Sequence, residues 1–174
     1  MMETTGKQHW YVARTRTNQE YIIKAKLEAL GVEHFLPEGF RTRETATGRE
    51  RVRVPLIRGM IFIRTDKSTS FSLLNDHFLR MSYVKDIEGR HSLVVPDNQM
   101  AAFMRVVEVA ATGIEVLNQN LRRGDRVRVI EGPLAGLEGE LIRIRGHKRV
   151  VIRLEGVASI ATSYIPGAFL EKLE

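Results

Sequence analysis

The residues able to carry catalytic or metal chemistry are few in this sequence, and they are widely spaced. No cysteine is present, which excludes disulfides, thiolate nucleophiles and thiolate zinc sites. The five histidines form no His-x-x-x-His pair and no cluster with carboxylates of the kind that binds a metal; they are His9, His34, His77, His91 and His147. We therefore expect no metal ion and no cofactor, and we interpret the histidines as exposed or structural residues.

The glycines and serines also lack the signatures of a nucleotide site or a hydrolase. Gly132, Gly136 and Gly139 lack the Gly-x-Gly and Gly-Lys steps of dinucleotide fingerprints and phosphate loops, so turn formation explains them better. No Gly-x-Ser-x-Gly elbow occurs. A catalytic triad assembled only in space would leave no such motif. Because no residue is singled out as catalytic, we predict a binding protein rather than an enzyme.

The composition is that of a folded protein with a basic surface. The 174 residues are 43% hydrophobic and 28% charged, which provides enough apolar surface to offset the entropy of ordering. The net charge of +6 favours a polyanionic partner such as DNA or RNA, although a solvated basic surface would give the same value. The sequence has no run of about 20 apolar residues, and its first residues lack the apolar core of a signal peptide. We expect a monomeric cytoplasmic protein without membrane contact.

Strands and helices alternate in the first half of the chain. Residues 10–16 predict a strand, and Thr17 with Glu20 matches a capping box that begins a helix ending at Gly31. The later predicted elements are a strand at 32–36, a β-hairpin arm or mobile loop around Gly48, a strand at 54–63, a helix at 68–75 with a Ser or Thr cap, a strand at 79–85, and a helix whose apolar face is Met100, Phe103, Met104 and Val107. This order predicts an α+β sandwich with helices on one face of a largely antiparallel sheet.

Short strands dominate the second half of the chain. Residues 110–120 have no sustained period and are interpreted as a linker. Four strands then follow about ten residues apart, separated by glycine-rich turns, at 126–130, 139–145, 149–154 and 159–165. Such spacing predicts a small closed or nearly closed β-barrel.

One run at the start of this barrel combines turn residues with strict alternation. Gly124 and Asp125 form a turn, Val127 and Val129 point inward between outward arginines, and glycines permit the reversal into the next strand. The residues of this run are Gly124, Asp125, Val127, Val129, Gly132, Gly136 and Gly139. The run resembles the KOW motif.

From about Trp10 to Leu173 the chain resembles the NusG family of bacterial transcription elongation factors. The first half is similar to the family's NGN domain through Trp10-Tyr11, the capped helix and the strand at 55–62. The resemblance implies an NGN-like α/β sandwich over 8–109, a linker over 110–120, and an SH3-like KOW barrel over 121–174. The usual Phe-Pro-Gly-Tyr of the docking strand is replaced here by the residues at 57–60, Ile-Arg-Gly-Met.

The resemblance implies that the first domain docks on RNA polymerase, at the clamp helices of the largest subunit, and suppresses pausing. By position, the docking surface consists of Ile57, Met60 and Phe62, with Arg14 and Tyr83 at its edge. We expect this apolar strip to lie on a sheet face that the helices leave uncovered, and simple alternation between core and solvent is the competing interpretation. A hydroxyl cluster is assigned to the polymerase gate loop, although helix capping also explains at least one member; it consists of Ser68, Thr69, Ser70 and Ser72.

Basic residues of both halves are candidates for nucleic-acid contacts. By resemblance to specialised members of the family, Arg16, Asn18 and Arg80 lie near non-template DNA, where long polar side chains suit phosphate or base-edge contacts. In the barrel, direct contact with nascent RNA is expected from a basic set; its members are Arg143, Arg145, Lys148 and Arg149. The family also implies a second partner for the barrel, ribosomal protein S10 or termination factor Rho.

Three interpretations of function remain open. The leading one is a specialised paralogue, an operon-directed antiterminator similar to the UpxY or RfaH types, and a general NusG follows closely. Both antipausing and pro-termination action fit the family. The alternative from another class is a KOW-type RNA-binding or ribosome-associated protein, which the basic barrel motivates.

Overall fold

A computed structural model describes residues 6–109, 114–117 and 123–174. Their contacts divide the chain into two compact units, one formed by residues up to 38 with 54–97 and the other by 39–53 with 98–174. Most residues of the predicted linker, and the first two of the predicted KOW domain, lie outside the described residues. The domain limits at 109 and 121 therefore stay a prediction.

The described residues form thirteen strands, three α-helices and one short 3-10 helix. In the first part of the chain these are β1 (His9–Thr15), α1 (Glu20–Leu30), β2 (Glu33–Phe35), β3 (Glu38–Thr45), β4 (Gly48–Pro55), β5 (Met60–Thr65), α2 (Lys67–Asn75), β6 (Met81–Tyr83), β7 (Val94–Val95) and α3 (Asp97–Val109). The rest are β8 (Glu115–Leu117), β9 (Asp125–Val129), β10 (Glu138–Ile144), β11 (His147–Leu154), β12 (Ala158–Tyr164), the 3-10 turn Gly167–Phe169 and β13 (Leu170–Lys172). Within these residues, no helix is both long and apolar enough to cross a membrane.

An antiparallel sheet forms the centre of the first unit. Its strand order is β2-β5-β1-β6, and β7 also pairs with β1. Alternate residues of β1 and β5, such as Tyr11 and Ile61, pack in one core with Ile23 and Leu27 of α1 and Leu73 of α2. The predicted combination of helices with a largely antiparallel sheet is thereby confirmed.

Helix α1 begins two residues later than the predicted capping box requires. Its N-cap is Gln19, which makes no side-chain capping bond, and the preceding Asn18 is left-handed with φ of 66°. Glu20 does not reach back to cap the helix; its side chain is buried and accepts the N–H of Gly59. The predicted glycine cap at the other end is confirmed, because Gly31 has φ of 69° and donates its N–H to the carbonyl of Glu28.

Helix α2 is capped by an aspartate rather than by the predicted serine or threonine. The Asp66 carboxylate accepts the N–H of Thr69 at 2.7 Å, so the helix begins at Lys67. Further back, the hairpin interpretation of the basic segment is confirmed, because β3 and β4 pair as a two-stranded sheet. There the guanidinium of Arg51 lies 4.1 Å from the ring centroid of Phe40.

The second unit contains a barrel-like antiparallel sheet with the strand order β13-β9-β10-β11-β12-β8. The predicted alternation along β9 is confirmed, since Val127 and Val129 are buried and the alternating Arg126 and Arg128 are exposed. Two strands of this sheet were not predicted, and neither was β7 of the first unit; the two are β13, and β8, which lies inside the predicted linker and pairs with β12. Three residues are too short for a period-two pattern to stand out.

Helix α3 follows its predicted apolar face with one exception. Met100, Phe103 and Val107 are buried as expected, but Val106 is buried where Met104 was predicted. The helix belongs to the second unit, and Arg105 ties it there by donating hydrogen bonds to the carbonyls of residues 133 and 135 at 3.3 and 2.5 Å.

Candidate functional site

The loop between β4 and β5 is held against the end of β1 and the start of α1. The carbonyl of Gly59 accepts the N–H of Thr15 at 2.9 Å, and its N–H donates to Glu20 at 2.7 Å. Gly59 has φ of 67°, and a Cβ at this position would lie 2.9 Å from the Thr15 carbonyl oxygen. We call these two hydrogen bonds the Gly59 clamp. The Gly59 clamp holds the loop that carries half-buried Ile57 and exposed Arg58 next to the end of β1.

Three predicted nucleic-acid residues lie at this same end of β1. Thr15 pairs with Met81 in the antiparallel ladder between β1 and β6, so Arg16 and Arg80 are the next residues on the two strands. Asn18 lies in the turn that follows Arg16. All three side chains are exposed, and Arg14, predicted as a docking residue, is exposed on the last part of β1. The fold therefore brings part of both predicted sites to one edge, the clamp edge, defined by Arg14, Arg16, Asn18, Ile57, Arg58 and Arg80.

Sequence reasoning missed Phe78, which lies two residues before Arg80. Its side chain is 76% exposed, and its backbone has φ of 54°, a left-handed conformation that is rare for a bulky residue. The available signal was a large aromatic residue within a polar run, Asn-Asp-His at 75–77, where no core pattern accounts for it. An exposed ring beside arginines has the composition of a stacking site for nucleic-acid bases.

The prediction of an uncovered apolar strip is wrong for its two central residues. Met60 is 3% exposed and Phe62 is completely buried. β5 is a central strand between β1 and β2, and its residues are buried on both faces of the sheet, so alternation exposes neither set. The ring of Phe35 on β2 lies 6.4 Å from that of Phe62. Of the strip, Ile57 alone is partly accessible.

Tyr83 is a core residue rather than the edge of a docking surface. It is 8% exposed, and its hydroxyl donates to the carbonyl of Ser70 at 2.9 Å. Burial, with a smaller contribution from Tyr11, raises the pKa of Tyr83 well above its usual value. The phenol therefore stays protonated as a structural donor.

The predicted hydroxyl cluster is largely occupied by contacts within its own helix. Thr69 and Ser70 are buried, and the Ser70 hydroxyl donates to the carbonyl of Lys67 at 2.7 Å. The Ser72 hydroxyl donates to Asp76 at 2.7 Å. Ser68 is the exposed member, and a gate-loop contact stays a prediction for that residue.

The basic residues of the barrel differ in exposure and in ion pairing. Arg149 and Arg145 both pair with Glu115, at 2.9 and 3.5 Å, and the Arg149 side chain is only 20% exposed. The position of Arg149 therefore argues against its predicted RNA contact. Arg143 and Lys148, by contrast, are exposed on β10 and β11.

Glycines of the KOW-like run are required by close packing as well as by turns. A Cβ on Gly139 would lie 2.7 Å from Val150 Cγ1 and from the Val151 carbonyl oxygen, and one on Gly124 would overlap the Leu141 carbonyl. Gly139 was predicted to supply backbone freedom and Gly124 to form a turn with Asp125. Asp125 instead begins β9, and both glycines have a steric role. Gly132 and Gly136 do have positive φ, of 86° and 87°, as turns require.

A partly buried carboxylate joins this run to the neighbouring strands. Glu140 accepts the N–H of Gly124 at 3.2 Å and two hydrogen bonds from Arg153 at 3.3 and 3.2 Å. Burial alone would raise the pKa of Glu140, but these hydrogen bonds and the charges of Arg153 and Arg123 outweigh it and hold the pKa below the usual 4.5. The described residues contain no cluster of His, Asp and Glu able to hold a metal ion.

Comparison with protein families assigns both halves of the chain. A family model described as transcription termination factor nusG matches residues 8–109, more than half of the chain. The chain belongs to the NusG family. A second model, the KOW motif, matches residues 123–153 and includes the glycines discussed above. The fold and the transcription-factor class predicted from the sequence are confirmed by these matches.

Among solved structures, the chain is similar to NusG of Thermotoga maritima in a study of its domain interaction, with 19% identity over 97% of this chain and 98% of that one and a TM-score of 0.48. It is also similar to the MjSpt4:Spt5 complex in conformation A, with 14% identity over 95% and 98% of the two chains and a TM-score of 0.29. Both scores are below 0.5, so the assignment depends on the family models. The search of curated proteins gave no match.

Proposed function

We propose that this NusG-family member binds RNA polymerase during elongation, at the clamp helices of the largest subunit, and suppresses pausing or termination. The observation that carries the proposal is the clamp edge, where Arg14, Arg58 and half-buried Ile57 are held in fixed positions at the end of β1. An apolar side chain framed by arginines is suited to a protein interface. Ser68 contributes the gate-loop contact, and no step requires enzymatic chemistry.

The buried strip adds a condition to this proposal. Met60 and Phe62 can contact the clamp helices only in a state in which they are uncovered. For such a contact, the apparent affinity is the intrinsic affinity multiplied by the fraction of molecules in that state. The clamp edge is accessible without such a change. We therefore assign first contact to Ile57 and its arginines, and any contact with Met60 and Phe62 to a later step.

The decisive experiment combines a binding assay with transcription on paused polymerase. The wild-type chain is expected to bind an isolated clamp-helix fragment and to increase read-through. Ile57→Glu should weaken both, while Lys26→Glu, on the exposed face of α1, should weaken neither. Phe62→Asp is unsuitable as a probe because the side chain is fully buried and the variant would unfold. Absence of polymerase binding by the wild-type chain would refute the proposal.

The exposed residues at the clamp edge support a contact with non-template DNA in the same complex. Arg16, Asn18 and Arg80 would hold phosphates or base edges, and Phe78 would stack on an unpaired base. A specialised paralogue would require a particular sequence in that strand, whereas a general NusG would act on any template. Read-through measured on a panel of leader sequences distinguishes the two.

In the KOW half, we propose a surface for a second partner, ribosomal protein S10 or Rho. The exposed Arg143 and Lys148 also favour the alternative function, direct binding of RNA. RNA binding that weakens steeply with salt, together with no polymerase contact, would favour that alternative. Pull-downs with purified S10, Rho and structured RNA test the three partners side by side.

A further inference from the structure

A cavity of about 510 Å³ lies in the first unit at the beginning of β1, whereas the Gly59 clamp lies at its end. Its walls come from the segment before β1, the first turns of α2 and the bridge that pairs Lys85 with Ser92. At about 3.3 Å per residue along the strand, the cavity and the clamp edge are roughly 20 Å apart. The cavity is therefore separate from the clamp edge, and it shares Ser68 with the proposed gate-loop contact.

Positive charge dominates the lining of this cavity. Four cations contribute to it, and Asp66 is the one carboxylate among the described lining residues; the cations are Lys7, Lys67, Lys85 and Arg90. Asp66 caps α2 through the N–H of Thr69 and lies 3.5 Å from the N–H of Gly6. Because its carboxylate sits over the first turn of α2, the dipole of that helix adds little positive potential. The attraction for an anion therefore comes from the side chains.

Three of the cations are free to bind a ligand. Lys7, Lys67 and Lys85 are exposed and form no ion pair with the described part of the chain. Arg90 is partly compensated, because Glu88 lies 3.8 Å away and Asp86 accepts its backbone N–H. Unpaired amines around one cavity raise its positive potential, which attracts a polyanion.

An exposed aromatic ring distinguishes this cavity from a simple basic patch. Phe71 is 49% exposed and follows Lys67 by one turn on the same side of α2. Tyr11 also lines the cavity, and its raised pKa, caused by burial and by Asp66, keeps its phenol protonated. Amines for phosphates beside a ring for a base is the combination found in single-strand binding sites.

We propose that this cavity binds a single-stranded nucleic acid, with its phosphodiester groups held by Lys7, Lys67 and Lys85 and one base stacked on Phe71. The site is a second nucleic-acid contact of the first unit, and it does not depend on polymerase binding.

The first test measures binding of the full chain to labelled oligonucleotides of about 12 nucleotides, a length that spans one such site. Fluorescence anisotropy is recorded for single-stranded DNA, single-stranded RNA and duplex over a range of salt concentrations. Each of Lys67→Ala and Lys85→Ala should weaken binding and reduce the slope of log K against log salt by about 0.7, the value for one phosphate contact on a single strand. The matched control is Lys26→Ala on α1, which should leave the slope unchanged.

The second test follows the stacked base directly. Trp10 is the one tryptophan of the chain and is 6% exposed, so Phe71→Trp introduces an accessible indole into the cavity. Single strands should quench its fluorescence to saturation, with the same concentration dependence as the anisotropy. In a background of Arg16→Ala and Arg80→Ala, which removes the proposed strand contacts of the clamp edge, Phe71→Ala should lower the affinity for single strands about 5-fold or more and leave duplex binding unchanged.

Several results would overturn the proposal. Unchanged salt slopes in both lysine variants, or no quenching of the introduced indole, would remove the site. If duplex binds as tightly as single strands, Phe71 does not stack on a base. If polyglutamate displaces the oligonucleotide equally well from the wild type and from Phe71→Ala, the ligand is an acidic peptide. Because no polymerase is present, failure here leaves the proposed polymerase contact standing, and failure there leaves this site standing.

Discussion

Two glycines with the same backbone conformation allow the packing energy of the Gly59 clamp to be measured. Gly59 and Gly89 have φ of 67° and 68°, but a Cβ on Gly59 would lie 2.9 Å from the Thr15 carbonyl oxygen, whereas one on Gly89 would meet nothing within 4 Å. Alanine at either position pays the left-handed penalty of about 1–2 kcal/mol, partly offset by the lower entropy of the unfolded chain. Gly59→Ala also overpacks the contact with Thr15, which destabilises the fold by about 1–3 kcal/mol.

We therefore expect Gly59→Ala to lower the free energy of unfolding by about 1–3 kcal/mol more than Gly89→Ala does. Urea unfolding followed by the fluorescence of Trp10 reports on the unit that contains both glycines, and equal m-values in the two variants justify comparing their midpoints. Gly59→Ala should also weaken clamp-helix binding, because the loop that carries Ile57 must shift. Equal destabilisation by the two substitutions would show that the close approach to Thr15 carries no energy and would refute the reasoning.

Three further predictions test other contacts. Glu20→Gln keeps the shape of the side chain but replaces a charged acceptor for the N–H of Gly59 with a neutral one, and should cost about 1 kcal/mol in urea unfolding. Glu140 has a depressed pKa, so its contribution to barrel stability is complete above about pH 4.5 and is lost as the pH falls through the lower folded-state value. Hydrogen exchange of barrel amides should show this loss of stability in the wild type. The stability of Glu140→Gln should depend less on pH. Phe78→Ala should leave stability nearly unchanged, because the ring is 76% exposed, while single-strand affinity at the clamp edge falls about 5-fold or more in anisotropy titrations.

The sequence predicts most of the fold because its periodic signals are strong. The alternation along β9 and the glycine cap of α1 are local features whose physical cause lies within a few residues, and both are confirmed. The short strands β8 and β13 were missed because each is defined by its partner strand rather than by its own pattern. The capping box failed for a similar reason, since Glu20 is recruited by Gly59, 39 residues away.

The candidate site was harder to predict, because exposure depends on what lies across the sheet. Alternation assigns Met60 and Phe62 to one face and Ile61 and Ile63 to the other, but it cannot state that both faces are buried. In the same way, Phe71 looks like a core residue by type, and only the fold shows that it is 49% exposed. The register between β1 and β6, which brings Arg16 next to Arg80, has no trace in either local sequence.

The burial of Met60 and Phe62 changes how polymerase docking must be understood energetically. If the bound state uses these side chains, the free protein must first uncover them, and a state populated at about 1% would cost a factor of about 100 in apparent affinity. The observed association rate would then be limited by the uncovering step and would stay low as the clamp-helix concentration rises. Amides of β5 would exchange faster during binding. If the clamp edge alone makes the contact, association follows concentration and β5 stays protected. Kinetics of association, measured together with hydrogen exchange of β5, therefore decide whether the strip is a binding surface or simply the core of the sheet.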